Sequence, residues 1–179
     1  EGALQWSMRV GPKDDRLLSR GEMISRWPVR TGVLVDGSIA YFGAGVFPHE
    51  SVYLCAVDAL TGKLLWKNDR ISQEDAGRND LSPQGYLLGN DKHLYVPSGR
   101  SLPVAFSKET GEIVFQRKYS WRTDAGGVVG GTKAVLGDGQ VYAGGPHHFL
   151  AMDENDGSLG AGYIGGRLMV LAEGNAFLL

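Results

Sequence analysis

The sequence predicts an all-β protein: a β-propeller of four-stranded antiparallel blades, of which this chain supplies an incomplete piece of about three blades. Three observations lead to this prediction. Glycine is unusually frequent, with 27 among 179 residues, roughly twice its ordinary usage. One motif recurs along the chain at intervals of 49 and then 46 residues. Short apolar segments alternate with turns rich in Gly, Asp and Asn, and amphipathic helical periodicity is lacking.

The overall composition is that of a soluble globular protein and excludes several classes of function. Hydrophobic residues make up 42% and charged residues 21%, and the formal net charge is −2. Because there is no basic excess, we expect no nucleic-acid partner. Apolar runs such as 52–57 are far shorter than the roughly 20 residues that span a bilayer, so we expect no transmembrane segment. A single cysteine excludes an internal disulfide framework.

The recurring motif is clearest at residues 56–66, which read AVDALTGKLLW. Residues 105–115 follow the same pattern, and residues 151–157 repeat its first part. Near the start of the chain, Gly2 and Trp6 have the spacing that ends the motif. Self-similarity at a period of 40 to 50 residues indicates a repeat architecture.

A second element precedes each motif and has the pattern of a hairpin. It occurs at 33–41, 87–95 and 135–142, and a fourth copy begins at 170–177. In each copy an apolar strand meets a turn containing Gly, Asn or Asp, and a strand ending in an aromatic residue follows. These turn residues tolerate the positive φ angles that tight hairpins require.

Hairpin and motif together give four short strands per repeat, which is typical of a propeller blade. The predicted organisation is the end of one blade at 1–6, blades at about 31–67, 85–117 and 132–163, and the start of a further blade at 167–179. Propellers close with roughly four to eight blades. We therefore expect the chain to be a fragment whose first partners are the remaining blades of a longer protein.

The motif Ala-x-Asp-x-x-Thr-Gly-x-x-x-Trp resembles the tryptophan-docking repeat of the pyrroloquinoline-quinone-type propellers. The second copy departs from it at Ser107 and Phe115, and the third at Asp156 and Ala161. The resemblance implies that the indole packs on the neighbouring blade and that the Thr-Gly turn joins the third and fourth strands. We therefore predict structural roles, and no catalytic role, for the motif residues Ala56, Asp58, Thr61, Gly62, Trp66, Gly111, Phe115, Asp153 and Gly157.

Three long connections, 7–30, 68–83 and 119–131, lead into innermost strands and are expected to converge on the mouth of the central channel. Arginines, aromatic rings and carboxamides that meet at such a mouth are typical of a ligand site. The alternative is that they are solvated or pack against the next blade. The candidate ligand-binding residues are Arg26, Trp27, Arg30, Arg78, Asn79, Asp80, Trp121, Arg122 and Asp124.

No metal site is predicted from the histidines. His49 and the pair at 147–148 lie in corresponding connections of their repeats, but adjacent histidines on a strand point to opposite sides. No third ligand follows at a zinc-like spacing.

The resemblance leaves two functions open. The first is a non-catalytic scaffold for binding or assembly, the role of the propeller lipoprotein of the outer-membrane barrel assembly machinery. The alternative is part of an alcohol or sugar dehydrogenase that uses pyrroloquinoline quinone with calcium. The methanol-oxidising branch carries a vicinal cysteine pair, whereas this chain has only Cys55. No Glu, Asn and Asp set matches the metal ligands of these enzymes.

We therefore expect the scaffold, with no cofactor and no catalytic residue. Its expected ligand is a protein, a peptide or a small polar molecule. The resemblance also implies a periplasmic or extracytoplasmic location.

Overall fold

The structure is a computed structural model that describes residues 2–47, 50–71, 81–98, 101–117, 133–144, 149–163, 166 and 168–179. These residues form β-strands joined by turns and contain no α-helix. The fold is therefore all-β, as the alternation of short apolar segments and turns predicts.

The strands fall into five sheets. A hairpin near the start of the chain consists of β1 (Arg16–Ser19) and β2 (Glu22–Ser25). The first four-stranded sheet contains β3 (Leu34–Asp36), β4 (Ile39–Ala44), β5 (Tyr53–Asp58) and β6 (Leu64–Asn68). The second contains β7 (Leu88–Gly89), β8 (His93–Val96), β9 (Val104–Ser107) and β10 (Ile113–Phe115). The third contains β11 (Lys133–Gly137), β12 (Gln140–Gly144), β13 (Phe149–Asp153) and β14 (Leu159–Tyr163). A last hairpin consists of β15 (Met169–Ala172) and β16 (Asn175–Leu178).

Each four-stranded sheet is an antiparallel meander in which sequence neighbours are also spatial neighbours. This is the topology of a propeller blade, and it confirms the predicted fold class. In a propeller each meander runs outward from the centre, so we refer to the first strand of each sheet as innermost and to the fourth as outermost. The sheets formed by the described residues do not close into a ring.

The turn between the first two strands of a sheet has the backbone geometry that the sequence pattern predicts. At β11–β12, Asp138 and Gly139 have φ angles of 53° and 73°. At β15–β16, Glu173 and Gly174 have φ angles of 50° and 72°. Two consecutive positive φ angles define the tight hairpin turn whose twist matches that of antiparallel strands.

The connection at 7–30 differs from a plain loop because it contains the β1–β2 hairpin. Leu18 lies opposite Met23 in this hairpin, and both side chains are largely exposed. The sequence offers little signal for it, because its pattern of alternation is only four residues long on each strand.

Both faces of the first sheet are buried, as expected when blades cover one another. One face packs Tyr41 and Leu54 against Leu94 and Phe106 of the second sheet. On the other face Cys55 is fully buried, and burial raises the pKa of its thiol to about 11. Cys55 is therefore an apolar core side chain rather than a reactive thiol.

An aromatic ring on the outer strand of the first sheet covers the turn glycine of the second sheet. A Cβ atom added to Gly111 would lie 2.4 Å from Cε3 of Trp66, so only glycine fits beneath the indole. The Trp66 indole N–H also donates to the carbonyl of Lys108 at 2.9 Å. Because the ring crosses from one sheet to the next, it joins two blades with both an apolar contact and a hydrogen bond.

The same arrangement recurs at the two neighbouring seams. Trp6 covers Gly62, and its indole N–H donates to the carbonyl of Ala59 at 3.1 Å. Phe115 covers Gly157, where an added Cβ would lie 2.5 Å from the ring. These contacts repeat with the sequence motif, so the motif describes a seam between blades.

At the seam of Phe115, a phenylalanine replaces the motif tryptophan, and another residue supplies the missing hydrogen-bond donor. A phenylalanine ring has no N–H for the carbonyl of Glu154, which corresponds to that of Lys108. Instead, the buried hydroxyl of Tyr95 donates to Glu154 O at 2.7 Å, and a ring nitrogen of His93 lies 3.2 Å away. Burial is the main reason that the pKa of Tyr95 is raised, to about 12, so this hydroxyl stays protonated as a donor.

The motif carboxylates and hydroxyls organise the turn between the third and fourth strands. Asp58 accepts hydrogen bonds from the Thr61 amide and hydroxyl, both at 2.7 Å, and these bonds lower the pKa of Asp58. In the second sheet the Ser107 hydroxyl accepts from Thr110 N at 3.2 Å. In the third, Asp156 accepts from Ser158 N at 2.6 Å. The departures from the motif at Ser107 and Asp156 thus keep a side-chain acceptor in the turn.

We expect Trp66→Ala to lower the free energy of unfolding of the full-length protein by about 3 kcal/mol. This is the lower part of the range for aromatic truncation, because the ring is only partly buried. Trp66→Phe keeps the ring and loses the N–H, so it should cost only about 1 to 2 kcal/mol. Urea denaturation measures both values, with the exposed Leu60→Ala in the adjacent turn as control. Equal midpoints for wild type and Trp66→Ala would show that the indole does not support the seam.

We expect Tyr95→Phe to destabilise the protein by about 1 to 3 kcal/mol, because the partly buried Glu154 carbonyl loses the hydrogen bond from the Tyr95 hydroxyl. Tyr41→Phe is the matched control, since the corresponding carbonyl of Lys108 receives the Trp66 indole N–H. Thermal unfolding of both variants tests the difference. If Tyr41→Phe destabilises the protein as much as Tyr95→Phe does, the Tyr95 hydroxyl does not replace the indole N–H that Phe115 lacks.

Candidate functional site

Arg26 and Trp27 fasten the first long connection to the first sheet. The Arg26 guanidinium lies between two carboxylates, with Nε 3.0 Å from Asp15 and Nη1 2.9 Å from Glu50. The Trp27 indole N–H donates to the Glu50 carbonyl at 2.9 Å, and only 9% of this residue is exposed. Its ring also lies against Gly11, where an added Cβ would be 2.2 Å away. Both side chains are therefore engaged within the chain.

Arg30 is arranged differently. Its side chain is exposed, and its guanidinium donates to the Ser82 hydroxyl at 3.3 Å and to the Gln84 carboxamide oxygen at 2.7 Å. Both partners are neutral, and no ion pair joins Arg30 to a carboxylate of the described residues. The positive charge of Arg30 is held in a fixed direction without being neutralised by this part of the chain.

The segments that carry Arg30 and Gln84 run side by side where they lead into the innermost strands. Thr31 and Gly85 form a parallel bridge, and Gly32 N donates to Gly85 O at 2.8 Å. Thr31 and Pro83 point toward the first sheet, since both contact the position of Gly43. Because side chains alternate along extended segments, Arg30 and Tyr86 lie on the opposite face, away from the first sheet.

Tyr86 is the second exposed group on this face. Its ring lies over Gly32, where an added Cβ would be 2.6 Å from Cδ1, yet 79% of the residue is exposed. Tyr86 also lines an apolar groove of about 380 Å³ that extends across the innermost strands of the third sheet and the last hairpin. The groove is lined by Gly85, Tyr86, Lys133, Ala134, Val135, Phe149, Leu168 and Met169.

A second concavity, of about 610 Å³, lies at the outer rim between the first two sheets. It is bounded by residues 67–71 and by the turn at 110–113. The Asn68 side chain crosses its floor and donates to Gly111 O at 2.7 Å, as Arg117 does to Gly157 O at 2.9 Å in the next seam. This concavity is thus a product of blade packing.

The remaining candidate residues from the second and third connections, Arg78, Asn79, Asp80, Trp121, Arg122 and Asp124, lie outside the described residues. So do His49, His147 and His148. In the part of the chain that the structure describes, no group of three or more His, Cys, Asp and Glu side chains is placed to bind a metal ion. Among the same residues, no helix is long and apolar enough to cross a membrane.

The described candidates do not fit the shell that pyrroloquinoline quinone requires. That cofactor carries several carboxylates, which need free cations, and an aromatic ring system, which needs an open aromatic face. Asp15 and Glu50 neutralise Arg26, and Gly11 covers the ring of Trp27. Of these three residues, only Arg30 is exposed.

Sequence reasoning missed Ser82, Gln84 and Tyr86, which form the surroundings of Arg30. The segment at 82–86 reads as the end of a connection, because Pro83 and Gly85 interrupt any strand pattern. Its pairing with residues 30–32 joins two different blades across about 50 positions of sequence, and local patterns carry no information about such pairing.

The innermost-to-outermost meanders and the aromatic rings over turn glycines define this chain as a propeller built from quinoprotein-type repeats. A family model described as outer membrane protein assembly factor BamB matches residues 1–161. The chain therefore belongs to the BamB family of pyrroloquinoline-quinone-like repeat proteins. No curated protein matches the sequence.

Solved structures share the fold. BamB from Moraxella catarrhalis has a TM-score of 0.55 and 21% identity, over 81% of this chain and 40% of that one. The quinohemoprotein alcohol dehydrogenase from Comamonas testosteroni has a TM-score of 0.54 and 22% identity, over 76% and 21% of the two chains. A europium-containing methanol dehydrogenase has a TM-score of 0.57 and 16% identity, over 80% and 26%. The chain spans less than half of each protein, and these low identities show the fold alone.

We expect Arg26→Gln to lower the free energy of unfolding by about 1 kcal/mol, because Asp15 and Glu50 lose a partly buried counter-charge. The loss should shrink in 1 M salt, which screens the pair in the wild type. Arg16→Gln is the control, since the Arg16 side chain is 58% exposed and its pair with Asp14 lies on the surface. Urea denaturation at low and high salt measures both. Equal losses of unfolding free energy for the two variants would show that the ion pairs of Arg26 stabilise the protein no more than the surface pair of Arg16.

Proposed function

We propose that this chain is part of a non-catalytic propeller that serves as a binding or assembly scaffold in outer-membrane protein assembly. The observation that carries the proposal is the family match, which extends over residues 1–161 and therefore over the first two four-stranded sheets and into the last strand of the third. The internal engagement of Arg26 and Trp27 supports it, because these two side chains stabilise the connection and are not open to a quinone.

The proposal includes the organisation of the chain. The segment at 1–6 is the end of one blade, 31–67, 85–117 and 132–163 are successive blades, and 167–179 begins another. The remaining blades of the full-length protein pack against the open faces at both ends. The motif residues Ala56, Asp58, Thr61, Gly62, Trp66, Gly111, Phe115, Asp153 and Gly157 hold the seams together and take no part in catalysis.

The proposed partner is a protein or peptide, and the proposed location is the periplasm or another extracytoplasmic space. BamB is by its description an assembly factor for outer-membrane proteins, and this description supports the proposed location. The dehydrogenase alternative is supported by fold likeness at 22% identity, and a shared propeller does not carry its activity with it.

Deletion of the gene in the host organism tests this function. We expect lower levels of folded outer-membrane β-barrel proteins, measured by heat-modifiability on gels of purified outer membranes. Plasmid expression of the full-length protein should restore them. Expression of a double Trp6→Ala, Trp66→Ala variant should restore them less, because two seams are weakened.

Purified full-length protein incubated with pyrroloquinoline quinone and calcium provides the opposing measurement. Turnover in a dye-linked alcohol oxidation assay, together with unchanged outer-membrane proteins in the deletion strain, would replace the scaffold with a quinoprotein dehydrogenase. We expect no turnover and a clear change in the membrane proteins.

A further inference from the structure

The exposed surface around Arg30 and Tyr86 has the chemistry of a binding site, and we propose that it binds a carboxylate side chain of an extended apolar peptide. This inference rests on the proposed scaffold function and specifies the chemistry of its partner. The supporting observations are the direction and charge of Arg30, the exposed ring of Tyr86 and the lining of the adjoining groove.

Arg30 is set up to receive an anion. Ser82 and Gln84 accept hydrogen bonds from its two terminal nitrogens, at 3.3 and 2.7 Å, and thereby fix the plane of the guanidinium. A guanidinium presents five N–H donors in a fork that matches a carboxylate. Neither neutral partner cancels the charge, and no carboxylate of the described residues pairs with it, so we infer that the rest of the fork receives a negatively charged group.

Arg26 provides the internal comparison. It lies four residues earlier in the same connection, but Asp15 and Glu50 satisfy its charge within the chain. Arg26 is thereby paired with two carboxylates and only one-third exposed. Arg30 in contrast is exposed, and its described partners are two neutral side chains.

Tyr86 and the groove explain why the partner is apolar as well as anionic. The Tyr86 ring forms one wall of the groove, and Val135, Phe149, Leu168 and Met169 contribute apolar surface to the others. None of the residues that line the groove is acidic. An apolar groove that begins at Tyr86, on the same face as the exposed Arg30, complements a peptide in which acidic and apolar side chains alternate.

Binding of a labelled peptide to the full-length protein tests the proposal. The probe is a fluorescein-labelled, C-terminally amidated decapeptide, Gly-Ser-Glu-Leu-Glu-Phe-Glu-Leu-Gly-Ser, and the control probe has Gln in place of every Glu. We expect fluorescence anisotropy to show at least about tenfold tighter binding of the Glu probe. The difference should fall at high salt.

Variants locate the site. Arg30→Gln should weaken binding of the Glu probe about tenfold or more and leave the weaker Gln probe unchanged. Arg30→Lys keeps the charge without the fork and should lie between wild type and Arg30→Gln. Tyr86→Ala should weaken both probes by about threefold to tenfold. Arg16→Gln, an exposed arginine on the β1–β2 hairpin, is the matched control and should change nothing. Unaltered unfolding midpoints confirm that each variant is folded.

Equal affinity for the two probes, or full affinity in Arg30→Gln, overturns the proposal. Arg30-dependent binding of pyrroloquinoline quinone without binding of the peptide also overturns it, and assigns the surface to a small-molecule carboxylate. These results are separable from a failure of the scaffold function. If the deletion strain loses outer-membrane proteins and Arg30→Gln restores them fully, the scaffold stands and only this site is wrong.

Discussion

The contact between an aromatic ring and a turn glycine holds successive blades of this chain in register. A four-stranded sheet of this size has apolar residues on both faces and cannot bury them alone. At the seams of Trp6, Trp66 and Phe115 the ring reaches the turn of the next sheet, where the absence of a Cβ lets it approach the backbone. The indole N–H then satisfies a carbonyl of that turn. A large apolar contact and one directed bond together set the position of each blade against the next.

The seam that lacks an indole shows which part of this interaction is required. Phe115 keeps the ring on Gly157 but brings no donor, and the hydroxyl of Tyr95 supplies one from the second strand of the same sheet. A buried carbonyl without a donor is costly, so the loss of one donor goes with the recruitment of another. The turn acceptors behave likewise, because Ser107 and Asp156 retain the acceptor function where the motif residue is replaced.

The same connection contains both stabilising residues and an exposed cation. Trp27 packs on the first sheet, and Arg26 and Trp27 both bind Glu50 in the β4–β5 connection. Extended backbone then directs Thr31 into the blade and Arg30 out of it. The support for the connection thus lies only a few residues before the exposed Arg30.

The sequence by itself determined the fold class and the seams. Gly, Asp and Asn at fixed intervals dictate tight turns, and a ring four residues after a turn glycine identifies the outer strand, because both features are local and repeat with the blade. Only the tertiary structure decided which of the candidate ligand-binding residues are paired within the chain and which are exposed. Arg26, Trp27 and Arg30 are alike in sequence as polar or aromatic residues of one connection. They differ because Glu50, Ser82 and Gln84 reach them from distant segments. Such meetings between blades depend on packing in three dimensions, which no local pattern encodes.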